Sequence, residues 1–125
     1  MGGVTFEAEF LRRVDAAEEV EIETRRGPAA AGRTIIWIVV DGGQVYVRSV
    51  RGPSGKWYQR LRADPGGAIH VAGTRTTVRA VPVDDAAEIE RVSAALRRKY
   101  ARHHGPLASM LRPETLPTTL RLEPA

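Results

Sequence analysis

The chain has 125 residues, enough for one hydrophobic core and too few for two, so residues 1–125 read as a single domain. Apolar residues make up 42% and charged residues 27%, ordinary for a globular chain, with a formal net charge of +4. With no cysteine, disulfides, thiolate chemistry and cysteine metal sites are excluded. The longest apolar run, Ile35 to Val40, falls far short of the roughly 20 residues that cross a bilayer. Phe6 to Val14 is amphipathic and broken by charge, so no leader is read there, and a cytoplasmic location with no membrane partner is expected.

Phe6, Phe10, Leu11 and Val14 recur at helical spacing, which predicts an amphipathic helix over Thr5 to Ala17 with Thr5 as N-cap. Val20, Ile22 and Thr24 alternate with glutamates, the pattern of a half-buried strand. Arg26-Gly27-Pro28 and Gly32 then break the chain. Thr34 to Val40 is apolar on both faces and reads as a central strand. Asp41-Gly42-Gly43 signals a tight hairpin into a strand over Gln44 to Val50. Lys56 to Ala63 reads as a short helix stopped by Asp64-Pro65.

Two further strands follow, Gly67 to Gly73 and Thr76 to Val83. Asp85 with Glu88 resembles a capping box for a helix whose apolar stripe is Ile89, Val92, Leu96 and Tyr100. Thr119 to Leu122 reads as a last edge strand. Six strands, mostly antiparallel, with helices at both ends predict an α+β chain built on a small β-barrel or curled sheet.

The candidate site is the stretch from Gln44 to Pro65. An apolar strand delivers Arg48 and Ser49 into Gly52-Pro53-Ser54-Gly55, and a helix bearing Lys56, Trp57 and Arg60 opens at once. Backbone amides at a helix N-terminus, ringed by cations and an aromatic, suit a phosphate attached to something flat. By strand alternation Val45, Val47 and Ser49 face the interior, and Arg48 stands on the opposite face with Tyr46.

Lys56 and Arg60 are neighbours on the helix, a like-charge pair that costs about 0.3 kcal/mol unless an anion sits between them. The alternative is that Asp64 neutralises a solvated row, and the pattern does not decide between the two. Gly52 to Lys56 imitates a triphosphate-binding loop, but it has two residues between its glycines where that loop has four. Trp57 also stands where the loop needs Ser or Thr for magnesium, so that reading is rejected.

Trp57-Tyr58-Gln59-Arg60-Leu61-Arg62-Ala63-Asp64-Pro65, followed by Ala68-Ile69-His70-Val71, resembles the Trp-Tyr-x-x-Leu-x-Ala-x-Pro stretch of the deazaflavin-dependent nitroreductases. These belong to the flavin-binding, pyridoxamine-phosphate-oxidase-like split-barrel group, and the likeness covers about half the chain. Nearly the full length resembles an uncharacterised bacterial family, domain of unknown function 2255. The matching pieces are Ile36 to Gly42, Tyr46 to Val50, Arg98-Lys99-Tyr100 and Thr119 to Leu122.

The resemblance implies a six-stranded, mostly antiparallel split β-barrel with an N-terminal helix, a short helix after the third strand and a longer C-terminal helix. It also implies a homodimer, with FMN or a deazaflavin coenzyme near the subunit interface. Carried over position by position, Ser49, Ser54, Gly55, Lys56 and Trp57 fall where the group cradles the cofactor phosphate. Arg33 falls at the cationic end of the first hairpin and Arg60 on the helix behind. Arg48 is added as a further cation, at a position usually apolar in the nitroreductases.

Among the three histidines, adjacent His103 and His104 lack a carboxylate at ligand spacing, so no metal site is expected. His70 faces either a cofactor or water, water being preferred, and Trp37 reads as core or dimer interface. The catalytic residues are left unassigned. The preferred function is an oxidoreductase moving hydride between the bound cofactor and a small-molecule substrate. The alternative is a cofactor-less module, or a weak binder of anionic ligands or nucleic acid. That reading would use the basic stretch from Arg48 to Arg79, which holds seven cations and one acid, and nucleic acid is the less favoured partner.

Overall fold

Residues 5–27 and 30–125 are described in the computed structural model. Helix α1 (Ala8–Ala16) buries Phe10 and Val14 and starts later than the apolar spacing suggests. Its N-cap is Glu7 in extended backbone, not Thr5, and no side chain caps it. Two hairpins follow. The first joins β1 (Val20–Gly27) to β2 (Ala30–Ile36). Gly32 does not break the chain but pairs with Thr24 inside the ladder, while the Pro28 turn lies outside the described residues. The second joins β3 (Val39–Asp41) to β4 (Gln44–Val47). Its turn places Gly42 and Gly43 at φ 58° and 77°, the left-handed pair that an Asp-Gly-Gly sequence supplies without strain.

A 3-10 turn (Gly52–Ser54) leads into helix α2 (Lys56–Ala63), which ends at Asp64 as expected. Strands β5 (Gly66–Val71) and β6 (Thr74–Pro82) form a third hairpin. Helices α3 (Ala86–Lys99) and α4 (His104–Met110) follow. A 3-10 stretch (Pro113–Thr118) then enters β7 (Leu120–Pro124). The Asp85 carboxylate accepts from the Glu88 amide at 2.8 Å and caps α3. Glu88 does not complete the capping box, because its carboxylate accepts from Tyr46 Oη at 2.6 Å and Arg121 Nη1 at 2.9 Å.

All the strands belong to one antiparallel sheet in the order β2-β1-β5-β6-β7-β4-β3. This corrects two expectations. Among the described residues there are seven strands rather than six, because the run from Thr34 to Val40 is divided at Trp37-Ile38. The Ile38 backbone is used by side chains instead of a ladder: its amide donates to Tyr100 Oη at 3.1 Å, and its carbonyl accepts from Lys99 Nζ at 2.7 Å. Nor is that run central, since β2 and β3 are the two edges. The second correction concerns β7, which is not an edge strand but lies between β6 and β4.

This order also forces curvature. A flat sheet would separate its first and last strands by about 29 Å, from six gaps of about 4.8 Å. Only Trp37 and Ile38 connect β2 to β3, a span of about 11 Å at most. The sheet therefore curls into a barrel that stays open between those two edges.

Its interior holds Ile22, Val45, Val47, Ile69, Val78 and Leu122, with Phe10, Val14 and Leu61 packed against them. A second core lies outside the barrel, where Val92, Leu96 and Tyr100 of α3 meet Val39 and Tyr46. The alternation read from β4 holds: Val45 and Val47 belong to the first core and Tyr46 to the second. No helix among the described residues is long and apolar enough to cross a membrane.

Candidate functional site

The turn after β4 is built from its own residues. Ser49 is 1% exposed, its amide donating to Thr118 Oγ1 at 3.0 Å and its hydroxyl to the Gly52 carbonyl at 2.8 Å. Two glycines make this possible. Gly52 has φ 65°, and a Cβ there would lie 3.1 Å from the Glu114 carbonyl oxygen. A Cβ on Gly55 would collide with Ser49 Oγ. Ser49 and Gly55 thus face each other within the fold. Ser54 is exposed, and its hydroxyl donates to the Arg51 carbonyl at 2.9 Å.

Gly55 is the N-cap of α2 and offers no side-chain cap. The first three amides of a helix have no partner within it, and those of Lys56, Trp57 and Tyr58 find no acceptor among the described residues. Lys56 is exposed and Arg60 half-buried, and neither forms an ion pair among the described residues. Asp64 does not neutralise the row. Its carboxylate lies 3.7 Å from Arg25 Nε and accepts from the Gly66 amide at 3.3 Å. An unneutralised Lys56–Arg60 pair beside uncapped amides is positive potential directed at solvent.

Trp57, the second residue of α2, is also a wall of a cavity of about 360 Å³. Ile35, Ile36, Trp37, Val50, Pro106 and Met110 complete its apolar lining, Glu18, Glu19 and His103 add polar groups, and Arg48 lies in its wall. Trp37 stacks on Tyr100 with ring centroids 3.8 Å apart and planes 1° from parallel. His103 Nε2 is 2.6 Å from Glu18 Oε1. Both tryptophans of the chain therefore belong to one cavity.

Arg48 is 2% exposed. Its Nε donates to Thr119 Oγ1 at 2.9 Å, its Nη1 to Ser93 Oγ at 3.0 Å and the Met110 carbonyl at 3.5 Å, and its Nη2 to the Ile89 carbonyl at 3.1 Å. Strand alternation placed it on the outer face with Tyr46, but α3 covers that face. Burial pushes its pKa down to about 10, which still leaves it charged at neutral pH. No carboxylate pairs with it among the described residues.

Arg33 stands elsewhere. It is exposed, lies 3.6 Å from Glu21, and borders a second, shallower cavity of about 670 Å³ with His70 and Arg75. His70 does not face water alone: its Nε2 is 2.7 Å from Glu23 Oε1. Arg75 holds the same carboxylate in a fork, Nε to Oε1 at 3.0 Å and Nη2 to Oε2 at 2.9 Å. Arg75 first and His70 second lower the Glu23 pKa to about 2.

The structure thus gathers Ser49, Ser54, Gly55, Lys56, Trp57 and Arg60 around one turn, with Arg48 at the adjoining cavity, and leaves Arg33 beside the other. The basic stretch from Arg48 to Arg79 is not one free patch, since Arg48 is internal, Arg62 donates to Tyr58 Oη, and Arg75 is held by Glu23. Sequence reading missed His103, Pro106 and Met110 at the cavity, because α4 carries no periodic apolar stripe to position it.

A family model described as an uncharacterised protein conserved in bacteria, DUF2255, matches residues 10–122. The chain belongs to this family. Among curated proteins none matches. Solved structures supply similarity of fold.

An F420-H2-dependent reductase is 12% identical, with 98% of this chain and 100% of that chain covered and a TM-score of 0.63. HutZ, the haem storage protein of Vibrio cholerae, is 12% identical, with 98% and 92% covered and a TM-score of 0.63. An FAD-binding protein of Mesorhizobium loti is 13% identical, with 94% and 87% covered and a TM-score of 0.60. At these identities the likeness of this DUF2255 chain to the three is one of fold.

Proposed function

We propose that this DUF2255 protein binds FMN or a deazaflavin coenzyme and is an oxidoreductase acting on a small molecule. The observation that carries the reading is the position of Trp57. It joins the uncapped first turn of α2, where a phosphate finds free amides with Lys56 and Arg60, to the wall of an apolar cavity suited to a flat ring. Ser54 lies at the phosphate end, and Ser49 and Gly55 shape the turn. The cofactor supplies the hydride chemistry, and the protein supplies anchoring, orientation and shelter from water. Such a division of labour fits a cavity with no nucleophile–base pair. Ile35 at 62% and Val50 at 40% exposure sit on the cavity rim, and a second copy of the chain covering them is the accompanying proposal.

Colour and titration test this. Freshly purified protein, or protein mixed with FMN or a deazaflavin coenzyme at about 50 μM, is expected to quench the cofactor's fluorescence. Lys56→Ala with Arg60→Ala is expected to weaken binding about tenfold or more without loss of thermal stability. No binding of either cofactor overturns the reading. A Soret band from added haem with no flavin response replaces it with a haem-binding one.

A further inference from the structure

Arg48 is one of the residues lining a largely apolar cavity, and its guanidinium forms no ion pair among the described residues, Glu90 acting on it only at a distance. Taking a cation out of water is costly, and hydroxyl and carbonyl acceptors offset only part of that cost while leaving the charge in place. The guanidinium has five N–H groups. One on Nε, two on Nη1 and one on Nη2 are directed at protein oxygens, which leaves one Nη2 hydrogen with no acceptor among the described residues. The rest of the wall is largely Ile35, Trp37, Val50, Trp57 and Met110. Glu18 and Glu19 also line the cavity, and Glu18 is already engaged by His103 and Arg102. These two carboxylates oppose negative charge placed anywhere but against Arg48, which disfavours a guest carrying a second one.

We propose that this cavity binds a small organic acid, an apolar and preferably aromatic body with a single carboxylate, and that the carboxylate pairs with Arg48. The volume of about 360 Å³ is at the lower end for small-molecule sites and suits one or two fused rings. A phosphate is the poorer guest, because a single free N–H serves one carboxylate oxygen, whereas the amides of α2 offer a phosphate several donors. The proposal stands on the cavity and does not require the cofactor reading.

The test uses 2-naphthoate and its uncharged amide, 2-naphthamide, titrated calorimetrically into the full chain. The acid is expected to bind about tenfold tighter or more than the amide. Arg48→Lys keeps part of that preference, and Arg48→Gln loses it while still binding the amide, which reports that the cavity survives. In 15N-arginine-labelled wild type the acid, but not the amide, shifts the Arg48 Nε resonance, a readout that needs no variant.

Equal affinity for acid and amide, a preference retained in Arg48→Gln, an unmoved Nε resonance, or no binding at about 1 mM overturns the proposal. Naphthoate binding without any flavin or deazaflavin binding leaves this proposal standing and removes the cofactor reading.

Discussion

Arg48, just past the end of β4, and Arg75, on β6, resolve their charge in opposite ways. Arg75 is half exposed and closes a two-point fork on Glu23, which also holds His70. Arg48 is buried and meets only hydroxyls and carbonyls, from Thr119, Ser93, Met110 and Ile89. One has a paired carboxylate and little burial, and the other has burial and no ion pair among the described residues. The comparison teaches that the number of hydrogen bonds and the neutralisation of charge are separate quantities. Arg48 fastens the end of β4 to α3, to the end of α4 and to Thr119 just before β7, and it also lines the cavity.

Removing each arginine measures the difference. Arg48→Ala is expected to destabilise the fold by about 3 kcal/mol in urea denaturation, because the Ser93 and Thr119 hydroxyls lose their Arg48 donor, Thr119 keeping its bond to the Leu116 carbonyl, and a void is left between elements. A loss below about 1 kcal/mol would mean that those hydroxyls find other partners and that Arg48 is no structural tie.

The Glu23 cluster is next in size and depends on pH. The Glu23 pKa is lowered from the ordinary 4.5 to about 2, so its stabilising contribution is complete above the ordinary value. It is lost progressively as pH falls from 4.5 towards 2. Glu23→Gln should therefore flatten the acid limb of a thermal-stability profile, and an unchanged limb would contradict the cluster's geometry. Arg75→Ala is the smallest effect, below about 1 kcal/mol and reduced further by salt, since the arginine is half in water.

Local structure was legible wherever neighbours in sequence decide it. Helix α2 runs from Lys56 to Ala63 as expected, and the Asp41-Gly42-Gly43 turn and the Asp85 cap are where their chemistry puts them. The strand count was misread because Thr34 to Val40 is continuous in hydrophobicity. What interrupts it is Tyr100 and Lys99, more than sixty residues away, using the Ile38 backbone. The position of β7 between β6 and β4 likewise depends on which edge is free when the last strand arrives. Of the site, the loop and helix around Lys56 were readable as a local pattern. His103 and Met110 were not, because they come to the cavity through the packing of α4.

By itself the sequence determined the glycine-rich turn into α2, the alternation that sets Arg48 apart from Val47, and the family likeness carried by Trp57 to Pro65. Each of these rests on spacing along a few residues. Tertiary structure decided that α3 would cover the face on which Arg48 stands, turning an expected surface cation into a buried charge. It also decided that Asp64 would turn to Arg25 and leave Lys56 and Arg60 unneutralised. The physical reason is that burial and charge compensation depend on what arrives from distant parts of the chain, and hydrophobic periodicity carries no record of it.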